Sequence, residues 1–429
     1  VKTKGAAVAS KSAKNRVTIA AKAAPQPVAK PAPTLAGWLF PAYLAVIFIG
    51  YIFLRMPGAM TVGQEMGPVR ALFSAVNAGT LTGFPQITDI DKYATAGQIV
   101  MFGMIVCGSV FSLIIGGCAV ARILRLGYSD KQIALAAIVA EASAIVVGGF
   151  FLLFDRDRTF AQAGFMAASA FGNSGLLLGP APNPWQTHLI MLPLIAAGGL
   201  GLCVLMELYD YARRRTFSLS KQANAALGMT AWIYLCGTAA LIIVGTWAGT
   251  YFDSSTTPQA WRDLVTTSAA AGVASRTGGM GLVALEHLGR PAVWLVMLLM
   301  FIGGASGSTA GGVKTTTLVE LYRGARRALA GEICGRGFGI ALSWLGGFIL
   351  LELLALLLLL HQLPQAPADH VLFLVISAAS NVGLNYAPLN PDPIVAYLLC
   401  ATMLIGRFAP LMVLWAMADT TTDAELAVG

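Results

Sequence analysis

The chain has 429 residues, 57% of them hydrophobic and only 11% charged, with a formal net charge of +8. An ordinary soluble domain carries roughly 25% charged residues. This composition therefore excludes a cytosolic enzyme, a disordered protein and a coiled coil, and leaves a helical membrane protein of many spans. The positive charge is local: residues 1–36 hold Lys2, Lys4, Lys11, Lys14, Arg16, Lys22 and Lys30 and no acid. That pattern argues against nucleic-acid binding. It predicts a disordered basic tail on the cytoplasmic face, near anionic lipid, without the apolar core of a cleavable signal peptide.

In chain order, long apolar runs lie at about 38–54, 98–121, 133–154, 188–206, 227–249, 291–306, 338–360 and 393–417. A helix needs about 20 residues to cross the hydrocarbon, so these predict eight spans with both chain ends on one side. Within each successive pair lies a shorter apolar piece, at 70–79, 159–171, 259–274 and 369–380, followed at once by a small, polar, glycine-containing stretch. A short helix leading into irregular backbone is the pattern of a hairpin that dips into the membrane and returns. The unit recurs four times, centred on Gly83, Gly175, Gly279 and Gly383, with gaps of 92, 104 and 104 residues. The expected fold is all-α: span, re-entrant short helix, span, repeated around one axis in pseudo-fourfold fashion. Its repeats cover 37–121, 122–211, 212–335 and 336–418, and a tail follows at 419–429.

Orientation follows from Lys and Arg. The tail and the loops at 122–131, 213–221 and 323–336 carry eighteen, whereas the loops flanking the short helices carry eight (positions 55, 70, 92, 156, 158, 262, 276 and 290). The positive-inside bias places both termini in the cytoplasm. The outer loops hold ten acids (positions 65, 89, 91, 155, 157, 253, 263, 286, 369 and 392), a slight negative excess that concentrates cations at a pore mouth.

The four glycine stretches read Thr80-Leu81-Thr82-Gly83-Phe84, Gly172-Asn173-Ser174-Gly175-Leu176, Arg276-Thr277-Gly278-Gly279-Met280 and Ser380-Asn381-Val382-Gly383-Leu384. A dehydrated alkali cation needs about six to eight oxygens in place of its water. Backbone carbonyls supply them without the net charge that would hold the ion too tightly. Carbonyls that all face one axis demand unusual backbone angles, which glycine tolerates. The negative C-terminal ends of the short helices favour a cation at the same place.

The run Gly303-Gly304-Ala305-Ser306-Gly307-Ser308-Thr309-Ala310-Gly311-Gly312-Val313-Lys314-Thr315-Thr316-Thr317 resembles the signature of the Trk/Ktr/HKT superfamily of potassium transporters, in its bacterial pore-forming branch. Arg276-Thr277-Gly278-Gly279 is similar to that family's third filter, 380–384 to its fourth, and Gly406-Arg407-Phe408-Ala409-Pro410-Leu411 to its last helix. The likeness covers roughly residues 37–417. Gly278 stands where the family more often has Ala, and 172–175 is looser than its usual second filter. The resemblance implies four linked pore modules that bind potassium, the transported ion, through carbonyls. The oxygens would be those of Leu81, Thr82 and Gly83; Asn173, Ser174 and Gly175; Thr277, Gly278 and Gly279; and Asn381, Val382 and Gly383. It also implies a gating loop at about 303–314, with Gly303, Gly304, Ser306, Gly307, Gly311, Gly312 and Lys314, and an Arg407 that projects toward it. The same resemblance implies a homodimer in the bacterial inner membrane on a ring of cytoplasmic nucleotide-binding (RCK/KTN-type) regulators, with no organic cofactor in this chain.

Other residues carry less. A continuous helix through 303–314 would cost about 1 kcal/mol per glycine relative to alanine, which independently favours a broken segment lining a pathway. Lys314 reads as a loop brace, a cation barrier or a snorkelling anchor. Arg407, mid-span, must face a pore or a partner. Glu141 and Glu352 read as structural hydrogen-bonding groups. The six cysteines and four histidines show neither CxxC pairs nor metal-ligand spacing. Two rivals remain: an intramembrane serine protease built on Gly304-Ala305-Ser306-Gly307, and a sodium-permeable or ion-coupled transporter. Glycine at all four filter positions favours potassium.

Overall fold

A helix satisfies every backbone group internally, so it is the low-cost conformation for an apolar run in hydrocarbon. The computed structural model describes residues 35–61, 66–84, 90–154, 158–214, 218–247, 258–280, 289–386 and 392–420. The basic tail to residue 34, the end of the chain from 421, and the expected mouth acids at 65, 89, 155, 157, 253 and 286 lie outside these. Among the described residues the chain is almost entirely helical, with isolated bridges at Met60–Tyr93 and Ile302–Val313.

The helices are α1 (Leu35–Arg55), α2 (Pro68–Gly79), α3 (Thr95–Ile123), α4 (Asp130–Leu152), α5 (Phe160–Phe171), α6 (Pro184–Leu200), α7 (Leu202–Ala212), α8 (Lys221–Trp247), α9 (Pro258–Val273), α10 (Arg290–Phe301), α11 (Thr315–Leu329), α12 (Arg336–Gln362), α13 (Ala368–Ala379) and α14 (Pro393–Thr420). Their starts are chemically marked. Pro68, Pro184, Pro291 and Pro393 sit in first turns, where a missing N–H leaves no bond unmade. Ser129 with Gln132, and Thr159 with Gln162, form reciprocal caps.

Among the described residues, six helices (α1, α3, α4, α8, α12 and α14) are long and apolar enough to cross a membrane. Two of the eight expected spans take another form. The run at 188–206 bends by 106° between α6 and α7, at Gly201. Gly201 has φ +88 and ψ 146, which other residues adopt only under strain. The run at 291–306 ends as helix at Phe301, and α11 begins only at Thr315.

Burial sorts the spans into two classes. The most apolar windows of α3 and α14 are 56% and 61% buried, against 17–33% for α1, α4, α8 and α12. The former are therefore interior and the latter present their leucines and phenylalanines outward, as a lipid-facing shell requires. The short helix α2 packs between α1, α3 and α14, and α13 between α12 and α14. Small residues allow the close approach: Gly108 of α3 lies against the carbonyl of Gly79, and Gly406 of α14 against that of Ala379. Tyr43 of α1 donates to the Gly79 carbonyl at 2.7 Å and stacks on Phe111.

Candidate functional site

The four glycine turns each follow a short helix, and three are built alike. Thr80, Gly172 and Ser380 donate to carbonyls four residues back, at 2.8–2.9 Å. Thr82, Ser174 and Val382 donate to carbonyls five back, those of Asn77, Ser169 and Ser377, at 3.0, 2.9 and 2.9 Å. Left-handed φ then recurs at every second residue: Leu81 at 59 and Gly83 at 85, Asn173 at 55 and Gly175 at 77, Asn381 at 49 and Gly383 at 82. Alternating the sign of φ turns successive carbonyls toward one side. This costs little at glycine and about 1–2 kcal/mol at a residue with a Cβ.

Turn three departs from that pattern. α9 runs on into a wide π turn at residues 274–278. Gly279, rather than the residue before it, donates five back, to Ala274 at 2.8 Å. Its left-handed φ of 52 belongs to Gly279 alone.

The turns meet in a closed cycle. A Cβ on Gly83 would lie 1.4 Å from the Ser174 oxygen; on Gly175, 3.0 Å from the Gly278 oxygen; on Gly279, 1.4 Å from the Val382 oxygen; and on Gly383, 2.0 Å from the Thr82 oxygen. Each glycine thus faces the carbonyl that immediately precedes the glycine of the next turn, from one to two, three, four and back to one. Side chains brace the backbone from behind. Asn77 accepts from the N–H groups of Gly83 and Phe84 at 2.8 and 2.9 Å. Ser377 donates to the Leu384 carbonyl at 2.6 Å. Asn381 donates to Thr82 Oγ1 at 2.9 Å and to the Met403 carbonyl at 3.0 Å, which ties turn four to turn one.

The segment between α10 and α11 folds back on itself beside this cycle. Gly303 donates to Val313 at 2.9 Å, and Val313 to Phe301 at 3.0 Å. Its glycines are sites of backbone contact. A Cβ on Gly303 would lie 1.7 Å from the Gly311 oxygen, and one on Gly311 2.0 Å from the Ser380 oxygen of turn four. Gly307 packs on Gly116 of α3. Ala305 donates to the Gly199 carbonyl, Thr309 to that of Gly198, and Leu202 to that of Gly307, so the segment is seated on the bend at Gly201.

Polar side chains hold the segment to the turns. Arg407 is 3% exposed; it donates through Nε to the Thr80 carbonyl at 2.7 Å and through Nη1 to the Thr309 carbonyl at 2.6 Å. Its partners are peptide oxygens. Lys314 is buried just before α11 and donates to the Ala310 carbonyl at 2.5 Å, which makes it a brace within the segment. Ser306 shares a hydrogen bond with Thr316 at 2.7 Å. Glu141 accepts from Ser109 on α3, and Glu352 is buried on α12.

Four features of this region escape a reading of the sequence. Thr309 accepts from Asn173 Nδ2 at 2.8 Å, and its hydroxyl lies 3.1 Å from the carbonyls of both Phe171 and Gly198. Gly198-Gly199 and Gly201 are visible there only as glycines in an apolar run. Arg276 counts there as an outer-loop cation. It is 1% exposed instead, with Nε and Nη2 on the Gly303 carbonyl at 3.1 and 3.0 Å. Arg158, counted likewise, is buried on the carbonyls of Leu152, Pro180 and Ala181 and the side chain of Gln186. Backbone carbonyls, not solvent, take up these two charges.

The family model described as "TrkH: Cation transport protein" matches residues 257–420. The potassium/sodium uptake protein NtpJ of Enterococcus hirae is 26% identical over 89% of this chain and 92% of its own. The Ktr system potassium uptake protein B of Bacillus subtilis is 26% identical over 88% and 92%, and that of Vibrio alginolyticus 24% over 88% and 90%. Among solved structures, the crystal structure of the potassium transporter TrkH from Vibrio parahaemolyticus has a TM-score of 0.68 at 16% identity, over 89% of this chain and 84% of that one, a likeness of fold. Residues 257–420 thus match the TrkH cation transport model, most of the chain is similar in sequence to the NtpJ and Ktr uptake proteins, and its fold is similar to that of TrkH, all of them likenesses to the Trk/Ktr superfamily.

Proposed function

We propose that the chain is the membrane subunit of a potassium uptake system, passing the ion through the cycle of four glycine turns. The observation that carries this reading is the cycle itself, in which each glycine lies against the carbonyl preceding the next one. No carboxylate belongs to these turns, so the charge they offer is the partial charge of peptide oxygens, suited to brief binding of a dehydrated monovalent cation. The binding oxygens are those of residues 81–83, 173–175, 277–279 and 381–383. In this reading the architecture is eight-spanning. The bent pair α6 and α7 and the broken pair α10 and α11 count as one span each, and α2, α5, α9 and α13 are re-entrant.

The segment at 303–314 acts as the gate. It is bonded to turn two through Thr309, to turn one through Arg407, and packed on turn four through Gly311. Closed, it lies at the inner mouth of the cycle; displaced, it leaves a pathway. Uptake takes place across a bacterial plasma membrane, with both termini cytoplasmic, as a homodimer, under a cytoplasmic nucleotide-binding regulator. The relatives named as protein B of a Ktr system support an assembly of more than one component. A relative named for both potassium and sodium supports a second reading, in which sodium also permeates.

The test is growth of a potassium-uptake-deficient bacterium in low-potassium medium, with and without a candidate regulator. Rescue by the intact chain, and loss of potassium-over-sodium preference in both Gly83→Ser and Gly383→Ser, are expected. Unchanged preference in both variants contradicts the filter assignment.

A further inference from the structure

Arg276 occupies the position three residues before the glycine of its turn. Its counterparts are Thr80, Gly172 and Ser380, all small. Only in turn three does a long cationic side chain stand there. The residue is two things at once: its backbone is part of the π turn at 274–278 that leads into Gly278 and Gly279, and its side chain leaves the pathway and reaches the root of the glycine-rich segment.

The geometry is that of a clamp. Nε and Nη2 both donate to the Gly303 carbonyl, at 3.1 and 3.0 Å. Thr230 on α8 accepts weakly from Nη2 at 3.4 Å. One turn on, the ring of Tyr234 lies 4.7 Å from the guanidinium carbon, at cation–π distance. Among the described residues no carboxylate pairs with it, and Nη1 has no hydrogen-bond partner. A guanidinium removed from water without an acid is costly unless its donors stay occupied. Here the Gly303 oxygen is its principal acceptor, and the same residue's N–H is fixed by Val313.

We propose that Arg276 couples ion selection to gating, as a positioning residue that makes the shape of turn three and the seating of the 303–314 segment one equilibrium. If the segment withdraws, the Gly303 carbonyl moves and the guanidinium loses its main partner. The arginine must then follow, and its backbone carries turn three with it. Conversely, an ion that draws the oxygens of turn three into place steadies the clamp and the segment behind it. Turn three is suited to this part because it lacks the paired left-handed residues that lock the other three. The inference rests on the filter and gate reading above and adds a link between its two halves.

The test is a two-by-two comparison in liposomes containing the full chain: intact, Arg276→Gln, deletion of 306–312, and both together. Potassium flux and the potassium-to-sodium permeability ratio are measured for each. With Arg276 present, deleting the segment should shift the ratio by about five-fold or more, the lower end of ordinary coupling between sites. In the Arg276→Gln background the same deletion should raise flux but shift the ratio less than about two-fold. Arg276→Lys, which keeps the charge but not the paired donors, should fall between. Should Arg276→Gln not fold, Tyr234→Leu loosens the same guanidinium without removing it and should reduce the shift. Equal shifts with and without the arginine, or no shift in either, overturn the proposal. Gly83→Ser and Gly383→Ser serve as the control: if they leave selectivity untouched the filter reading itself fails, and if they alter it while the coupling is nil, only the role of Arg276 falls.

Discussion

Turns one, two and four are near copies of one backbone, and turn three is not. The copies share the same hydrogen-bond ladder and the same paired left-handed residues, although Leu81, Asn173 and Asn381 differ in chemistry. In turn three a π turn replaces that ladder, the bond five residues back is shifted by one, and the side chain of Arg276 is fastened to the glycine-rich segment. A ring of four carbonyl donors needs four backbones that present oxygen at one level. It does not need four that are equally stiff. The quarter that differs is the one continuous in sequence with the segment proposed as the gate.

The comparison is most readily broken at the glycines. Gly83→Ala and Gly279→Ala each put a methyl group 1.4 Å from a carbonyl oxygen of the next turn. The left-handed penalty alone, about 1–2 kcal/mol, is about five- to thirty-fold in an equilibrium constant, and the collision adds to it. Both should lose most selective uptake. Gly175→Ala, whose nearest backbone atom is 2.9 Å away, should be the mildest of the set. A ranking with Gly175 the most sensitive would contradict the cyclic arrangement.

Next in size is Arg407, which joins turn one to Thr309. Arg407→Leu strands two carbonyls that now accept charged hydrogen bonds at 2.7 and 2.6 Å, each worth about 1.5–3 kcal/mol. The variant should lose thermal stability in detergent and show raised basal flux, with Arg407→Lys intermediate. Thr309→Val keeps the shape and removes one hydroxyl that serves Asn173, Phe171 and Gly198. A cost of about 1–3 kcal/mol should appear as raised flux, with a shift in the potassium-to-sodium ratio smaller than the one that deleting 306–312 gives, because turn two is held by its own ladder. If the ratio shifts as far as it does on deleting 306–312 and does so equally in the Arg276→Gln background, turn three is not the special quarter. The smallest effect is expected at Tyr128, between α3 and α4, which donates to Asp210 at 2.8 Å. Tyr128→Phe should cost about 0.5–1.5 kcal/mol and leave both flux and selectivity as they were.

Sequence and structure agree where a residue's own backbone demands are decisive, and part where a distant contact decides. The long apolar runs become helices because hydrocarbon offers them nothing else. Gly83, Gly175, Gly279 and Gly383 stand out because left-handed angles select glycine, and Asn173 and Asn381 belong to a type that tolerates them. Leu81 gives no such hint; it is left-handed because its neighbours hold it there. The bend at Gly201 is hidden because an apolar run specifies burial and not direction. Its hydrogen bonds go to Ala305, Gly307 and Thr309, about a hundred residues away. Arg276 misleads for the same reason: composition marks a cation near a loop, and only the fold reveals a carbonyl waiting for it.

The central claim is that peptide oxygens of the four turns hold the ion. Crystals of the full chain grown with rubidium in place of potassium, and measured at the rubidium edge, test it directly. The claim requires an anomalous peak on the axis, within coordination distance of the carbonyls of Thr82, Ser174, Gly278 and Val382. Rubidium elsewhere, with side chains filling the space between those oxygens, would contradict it.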